Sequence, residues 1–206
     1  SVGGGALWWN GKKEKEAELI YDMCHISDIK EWCYREGRTY WEYVELCEGS
    51  EIWEYLGEVW DTMTQAINRG LNKEGVLPGE LKVARKAVKY FVKSDSYVGS
   101  LGSRAKIYAY ALATAEENAS GGRVATAPTC GSSGVVPAVL YHVQQSRHFS
   151  HQRILQALAT AGLFANVTKK NASLSGAEVG CQGEIGVACA MAAAAASSKS
   201  TPYYGG

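Results

Sequence analysis

Apolar residues recur at helical spacing along most of the chain and period-two alternation is scarce, so the pattern predicts a mostly α-helical protein. Residues 12–47 are charged and aromatic. Leu19 and Met23, then Ile29 and Cys33, predict two short amphipathic helices, the second capped by Ser27 with Asp28 and ended by Gly37. Ile52, Leu56, Val59, Met63, Ala66 and Ile67 form the stripe of a long helix that Ser50 should start and Gly70 should stop. A Gly/Pro turn and a basic run come next. That run, with Lys82, Arg85, Lys86 and Lys89, reads first as a solvated helix face and only second as an anion site. Residues 94–103 read as a polar loop, and residues 106–118 as a helix ending in Glu116, Glu117 and Asn118. Residues 135–145 are apolar enough for a buried helix. Ser150 then caps another, with Ile154, Leu155, Leu158, Ala161 and Phe164 turned inward.

Two stretches break this rhythm in the same way. Residues 121–140, GGRVATAPTCGSSGVVPAVL, and 171–196, NASLSGAEVGCQGEIGVACAMAAAAA, each run from a small-residue polar loop into an apolar helix. In the second, Gly180, Gly183 and Gly186 recur every third residue around Cys181 and Glu184, where glycine lets backbone approach a ligand closely. The alanines after them favour helix and tight packing, so the expectation is a compact all-α domain around a buried Ala/Gly-rich helix.

Composition narrows the function classes. Of 42 charged side chains only 13 lie in the last 112 residues, as expected of a small-residue catalytic core. The formal net charge is zero, which gives no reason to expect a nucleic-acid or anionic-membrane partner. The longest apolar run, 185–196, is shorter than a bilayer span, and no signal peptide is visible. Six scattered cysteines form no disulfide framework and read as reduced thiols of a cytoplasmic protein. Cys24, His25, Cys33 and Cys47 fit no zinc-finger spacing, which favours core packing over metal. Neither glycine-rich loop matches a dinucleotide or P-loop motif, and the zinc-deaminase signature is missing. Cys181 stands out, because a thiol at the mouth of a helix is favoured as thiolate, the form that binds metal or attacks; Cys189 reads as packing. The glycine-rich ends suggest a processed chain or a piece of a longer one. Residues 1–11 read as an interdomain linker, 12–196 as the helical domain and 197–206 as a tail.

The two long stretches resemble the signature segments of the alpha domain of bacterial iron–sulfur L-serine dehydratases. EGVLPGELKVARKA, YALATAEENASGGR and the opening SVGGG are similar to the same family, so the resemblance extends to about Ala196. It implies conversion of L-serine to pyruvate and ammonia with a four-iron–four-sulfur (4Fe-4S) cluster as Lewis acid. Cys181 would be one cluster ligand. Thr126, Thr129, Cys130 and Ser132 of the first loop, with Asn171, Ser173, Ser175 and Glu178 of the second, would line the substrate site. Cys130 stands where the family often carries Asn. The resemblance assigns no catalytic base. The family's other two cluster cysteines, in T-C-D-P and V-P-C segments, do not occur in this sequence, nor does its beta domain. The chain therefore reads as a truncated alpha domain with one cluster ligand present, a beta domain or subunit as partner, and homo-oligomeric assembly. Two alternatives stay open: a cluster-free helical subunit or binding module that keeps the fold, and a cysteine-dependent transferase acting through Cys181. Iron content after anaerobic reconstitution separates them from the dehydratase.

Overall fold

The computed structural model describes residues 8, 9, 12, 13 and 20–198. Those residues form α1 (Ile26–Glu36), α2 (Tyr40–Glu48), α3 (Ile52–Leu71), α4 (Ala87–Ser94), α5 (Ser100–Ala119), α6 (Val135–Arg147), α7 (His151–Asn171) and α8 (Gly176–Ser197). A two-residue antiparallel ladder joins β1 (Trp8–Trp9) to β2 (Lys12–Lys13). The domain is thus all-α, as the pattern predicts. Apart from those strand residues, Ser197 and Ser198, the expected linker and tail fall outside the described residues.

The main core is built from α1, α2, α3, α6, α7 and α8, around Tyr43, Met63, Leu140, Ile154 and Leu163. A second cluster of Ile67, Tyr110 and Ala138 joins α3, α5 and α6. Ser150 caps α7 by accepting from the Arg153 N–H, and its apolar stripe turns inward as expected, with Phe164 only half-buried. A Cβ at Gly70 would collide with the Ala113 backbone. That glycine therefore does not stop α3, which runs on to Leu71; it lets α3 and α5 touch.

Several expectations need correcting. Described residues 20–25 are not helical, and α1 starts only at Ile26, after an uncapped His25. Tertiary hydrogen bonds hold this lead-in out of a helix: Tyr43 Oη donates to Asp22 at 2.6 Å, Tyr21 Oη donates to Glu48 at 2.8 Å, and Asn171 Nδ2 donates to the Cys24 carbonyl at 2.6 Å. The second helix of this region is α2, started by a Thr39–Glu42 capping box. Cys33 lies in the core, where burial pushes its thiol up to about 11. Helix α3 starts after Glu51 rather than Ser50. The polar loop shrinks to 95–99, because α5 begins at Ser100 with Gly102 pressed against the Tyr97 carbonyl. The basic run is no helix face at Lys82 and Arg85; Val76 and Ala84 form a β-bridge there, and the Arg85 side chain is only 8% exposed.

The alanine-rich helix is not the buried centre. Val187, Ala188, Met191, Ala192 and Ala195 of α8 are buried against α6 and α7, whereas Cys189, Ala190 and Ala193 on the other face are exposed. Alanine carries too little apolar area to force burial, so the neighbours decide which face is covered. Helix α7 is the more enclosed, with eight buried residues. Cys189 accordingly is not a packing residue. Among the described helices α8 alone is long and apolar enough to cross a membrane, but here one face is committed to the domain.

Candidate functional site

Helix α5 ends in two buried carboxylates that anchor the loop after it. Glu117 is fully buried and receives Arg69 Nε at 2.8 Å, from the last turn of α3, and Lys73 Nζ at 2.5 Å, from just beyond that helix. Burial alone would raise its carboxyl, but the bonds and charges of Lys73 and Arg69 outweigh that and hold it below the usual carboxylate range. The same assembly grips the chain beyond the helix. Gly122 N–H donates to the Glu117 carbonyl at 2.8 Å, and Arg69 Nη2 donates to the Arg123 carbonyl at 2.5 Å. Glu116 faces the other way and accepts from the Lys86 and Ala87 N–H groups at 2.6 and 3.1 Å, at the start of α4. Arg85 lies 3.8 Å from its other oxygen and donates to Ser120 Oγ at 2.5 Å.

The loop that leaves this anchor carries the first group of candidate residues. Its middle is held by the Cys130 carbonyl, which accepts from Asn118 Nδ2 at 3.1 Å and Ser133 Oγ at 2.8 Å while the residue itself stays exposed. Thr129 and Ser132 are buried, with their hydroxyls 3.0 Å apart. Thr129 donates its proton to Glu184 of α8, so Ser132 must be the donor to Thr129.

Glu184 is where the two special stretches meet. An added Cβ at Gly131 would strike one of its carboxylate oxygens, and one at Gly176 would strike the other. The first loop and the start of α8 therefore close around a single carboxylate, 55 positions from Thr129. No ion pair to Glu184 exists among the described residues. Ser175, the residue before Gly176, is buried and caps α8 by accepting from Ala177 N–H at 3.3 Å.

Gly180 then interrupts α8, with φ of 71° and ψ of 172°. This left-handed φ with extended ψ is open to glycine and strained for other residues. A second helical segment starts after the break, with Cys181 exposed in its first turn and Glu184 one turn in. The N–H groups at such a start favour negative charge beside them.

The candidate residues thus divide by position. Thr129 and Ser132 converge on Glu184, and Ser175 lies beside Gly176. Thr126, Glu178 and Cys181 are exposed. Ser173 Oγ accepts locally from the Ser175 N–H at 3.0 Å. Asn171 commits its amide to the Cys24 and Val167 carbonyls. Sequence reasoning misses Glu184 as a site residue, although a signal exists: it is one of only two charges, with Glu178, in the 22 residues of α8. Among the described residues no three His, Cys, Asp or Glu side chains gather as a metal group.

Comparisons with known proteins identify the family. The family model described as serine dehydratase alpha chain matches residues 12–199. The L-serine dehydratase TdcG of Escherichia coli K12 is 40% identical over 94% of this chain and 46% of its own length. The L-serine dehydratase of Streptomyces coelicolor is 46% identical over 70% of this chain and 32% of its own. That of Helicobacter pylori 26695 is 37% identical over 94% of this chain and 46% of its own. The chain spans about half the length of the relatives it matches, or less.

Proposed function

The chain belongs to the serine dehydratase alpha-chain family, and on that premise we propose that it is the catalytic alpha part of an L-serine dehydratase, eliminating water from L-serine to give pyruvate and ammonia. The names of the relatives support the substrate, and the observation that carries the site is the closure of two distant loops on Glu184. L-Serine brings an ammonium, a carboxylate and a β-hydroxyl. Glu184 has hydroxyl and backbone neighbours but no cation among the described residues, so it is the carboxylate left to meet the substrate ammonium in a charge-assisted hydrogen bond. The N–H groups at the Gly180 break suit the substrate carboxylate, while the Ser132 hydroxyl, donating to Thr129, holds Thr129 in place to donate to Glu184. Holding both ends fixes Cα and Cβ for the elimination, in which the Cα–H and Cβ–O bonds break and 2-aminoacrylate forms. That enamine tautomerises and hydrolyses to pyruvate and ammonia. By resemblance, Thr126, Cys130, Asn171, Ser173, Ser175 and Glu178 line the same pocket in the complete protein.

The family resemblance also implies the 4Fe-4S cluster, with Cys181 as one ligand. A four-iron cluster is held by several thiolates, and no three donors converge among the described residues. The described donor set therefore does not fit a complete cluster site. The roles of Glu184, Ser132 and the Gly180 break rest on the protein's own groups. The reading further includes a beta domain or subunit as partner, homo-oligomeric assembly and a cytoplasmic location. Residues 1–11 would be the joint, 12–196 the catalytic domain and 197–206 a tail.

The test is pyruvate release from L-serine by the full-length protein that contains this chain, prepared anaerobically and assayed by coupled NADH oxidation. Release is expected. An iron-replete, folded full-length protein that leaves L-serine untouched would overturn the proposal.

A further inference from the structure

Away from Glu184, α4 and α5 enclose an open groove of about 610 Å³, within the size range of small-molecule sites. Lys86, Lys89 and Lys93 line one wall at i, i+3 and i+7, and Arg104 faces them from α5. No carboxylate lines this groove, and none of the four cations has an ion-pair partner among the described residues. The neighbouring cations differ: Lys106 pairs with Asp95 at 3.2 Å, and Arg85 lies against Glu116. Like charges at i and i+4, as at Lys89 and Lys93, weaken a helix, a cost that a bound anion removes. The chain as a whole carries no net charge, so this concentration of positive charge is local.

Between the cations stand three tyrosines that the core does not use. Tyr90, Tyr97 and Tyr108 line the same groove and are 44%, 48% and 58% exposed. Solvated lysines alone need no aromatic neighbours. Four cations and three tyrosines lining one groove match a ligand that carries several negative charges and a planar ring.

We propose that the α4–α5 groove is a binding site for a nucleoside phosphate, with Lys86, Lys89, Lys93 and Arg104 on the phosphate oxygens and the tyrosine rings on the base. Tyr90 and Tyr108 also line an adjoining cavity of about 450 Å³ bounded by Gly131, Ser132 and Ile185. The groove thus borders the first loop while sharing none of the residues assigned to L-serine.

Calorimetric titration of the 206-residue chain tests this, with ATP, pyrophosphate and adenosine as separate probes. ATP should bind saturably at low ionic strength, more tightly than pyrophosphate and far more tightly than adenosine, and added salt should weaken it. Lys89→Glu with Lys93→Glu should weaken ATP by at least about tenfold while the helical circular-dichroism spectrum is kept. Arg104→Gln, at an exposed position, gives a milder version of the same loss should the double reversal disturb folding. Tyr108→Ala should weaken ATP but leave pyrophosphate unchanged. Absence of saturable ATP binding at low salt, or ATP binding undiminished in folded Arg104→Gln, overturns the site. Pyrophosphate binding as tightly as ATP overturns the nucleoside half of the proposal.

Discussion

Two carboxylates bracket the first special loop, and they are treated in opposite ways. Glu117 at its entrance is fully buried and held by two cations, Arg69 of α3 and Lys73 just beyond it. Glu184 at its far side is only half-buried and meets a hydroxyl and glycine backbone, with no cation among the described residues. A buried carboxylate that already has its counter-charges is committed to structure, because losing either side leaves charge stranded. A carboxylate without a counter-charge is free to take one from a ligand. In the proposed reaction the ammonium of L-serine would supply that charge.

The largest effect should come from the entrance. Glu117→Ala is expected to destabilise the domain by about 3 kcal/mol, at the low end for a broken buried ion pair because Arg69 and Lys73 keep access to water. Denaturant unfolding measures it, and a loss no larger than that of a surface substitution would contradict the structural role. The pH dependence sharpens the point. Glu117 is held below its ordinary value, so its contribution is present above the unfolded carboxylate range, about pH 4.3, and fades as pH falls through the lower folded value. Glu117→Ala should flatten that acid limb, and an unchanged limb would assign it to other groups.

Next in size, Glu184→Gln should reverse the pattern. Its stability cost should stay within about 1 kcal/mol, because the amide still accepts from Thr129. Loss of the charge should lower kcat/KM for L-serine in the full-length protein by about 10- to 100-fold, the worth of one charged hydrogen bond. Stability loss without activity loss would merge the two carboxylates into one class.

Gly176→Ala probes the space around the same group. The added methyl must push the Glu184 carboxylate aside, at a cost of about 1 kcal/mol as a mild overpacking. Activity should fall by more than stability does. Equal losses would mean that the glycine serves packing alone.

The smallest effect belongs to Cys189→Ser. That position reads from sequence as core but is exposed, so the change should lie within about 0.5 kcal/mol by thermal or chemical unfolding. A larger cost would show that the outer face of α8 is covered.

Those outcomes bear on how far the sequence can be read. Helices α6 and α7 are legible because their apolar positions and the Ser150 cap act locally. The lead-in at 20–25 is not, because Tyr43, Glu48 and Asn171 hold it from far along the chain. The exposure of α8 is hidden for a related reason: a helix rich in alanine and glycine has no polar face to announce which side meets water. At the site, Thr129 and Ser132 are visible as hydroxyls in a glycine-rich loop. Glu184 is overshadowed by Cys181, since its importance lies in the distant backbone it contacts rather than in its sequence neighbours. The Asn171 amide nitrogen ties α7 to the Cys24 carbonyl, a contact 147 positions away that no local pattern announces.

The central claim is that Glu184 meets the substrate ammonium. Its most direct test compares binding of L-serine with binding of L-glycerate, which carries a hydroxyl in place of the ammonium, to the full-length protein and to Glu184→Gln. The native protein should prefer L-serine by about tenfold or more, and the variant should lose most of that preference while remaining folded. A folded Glu184→Gln protein that still discriminates between the two as the native protein does would contradict the assignment.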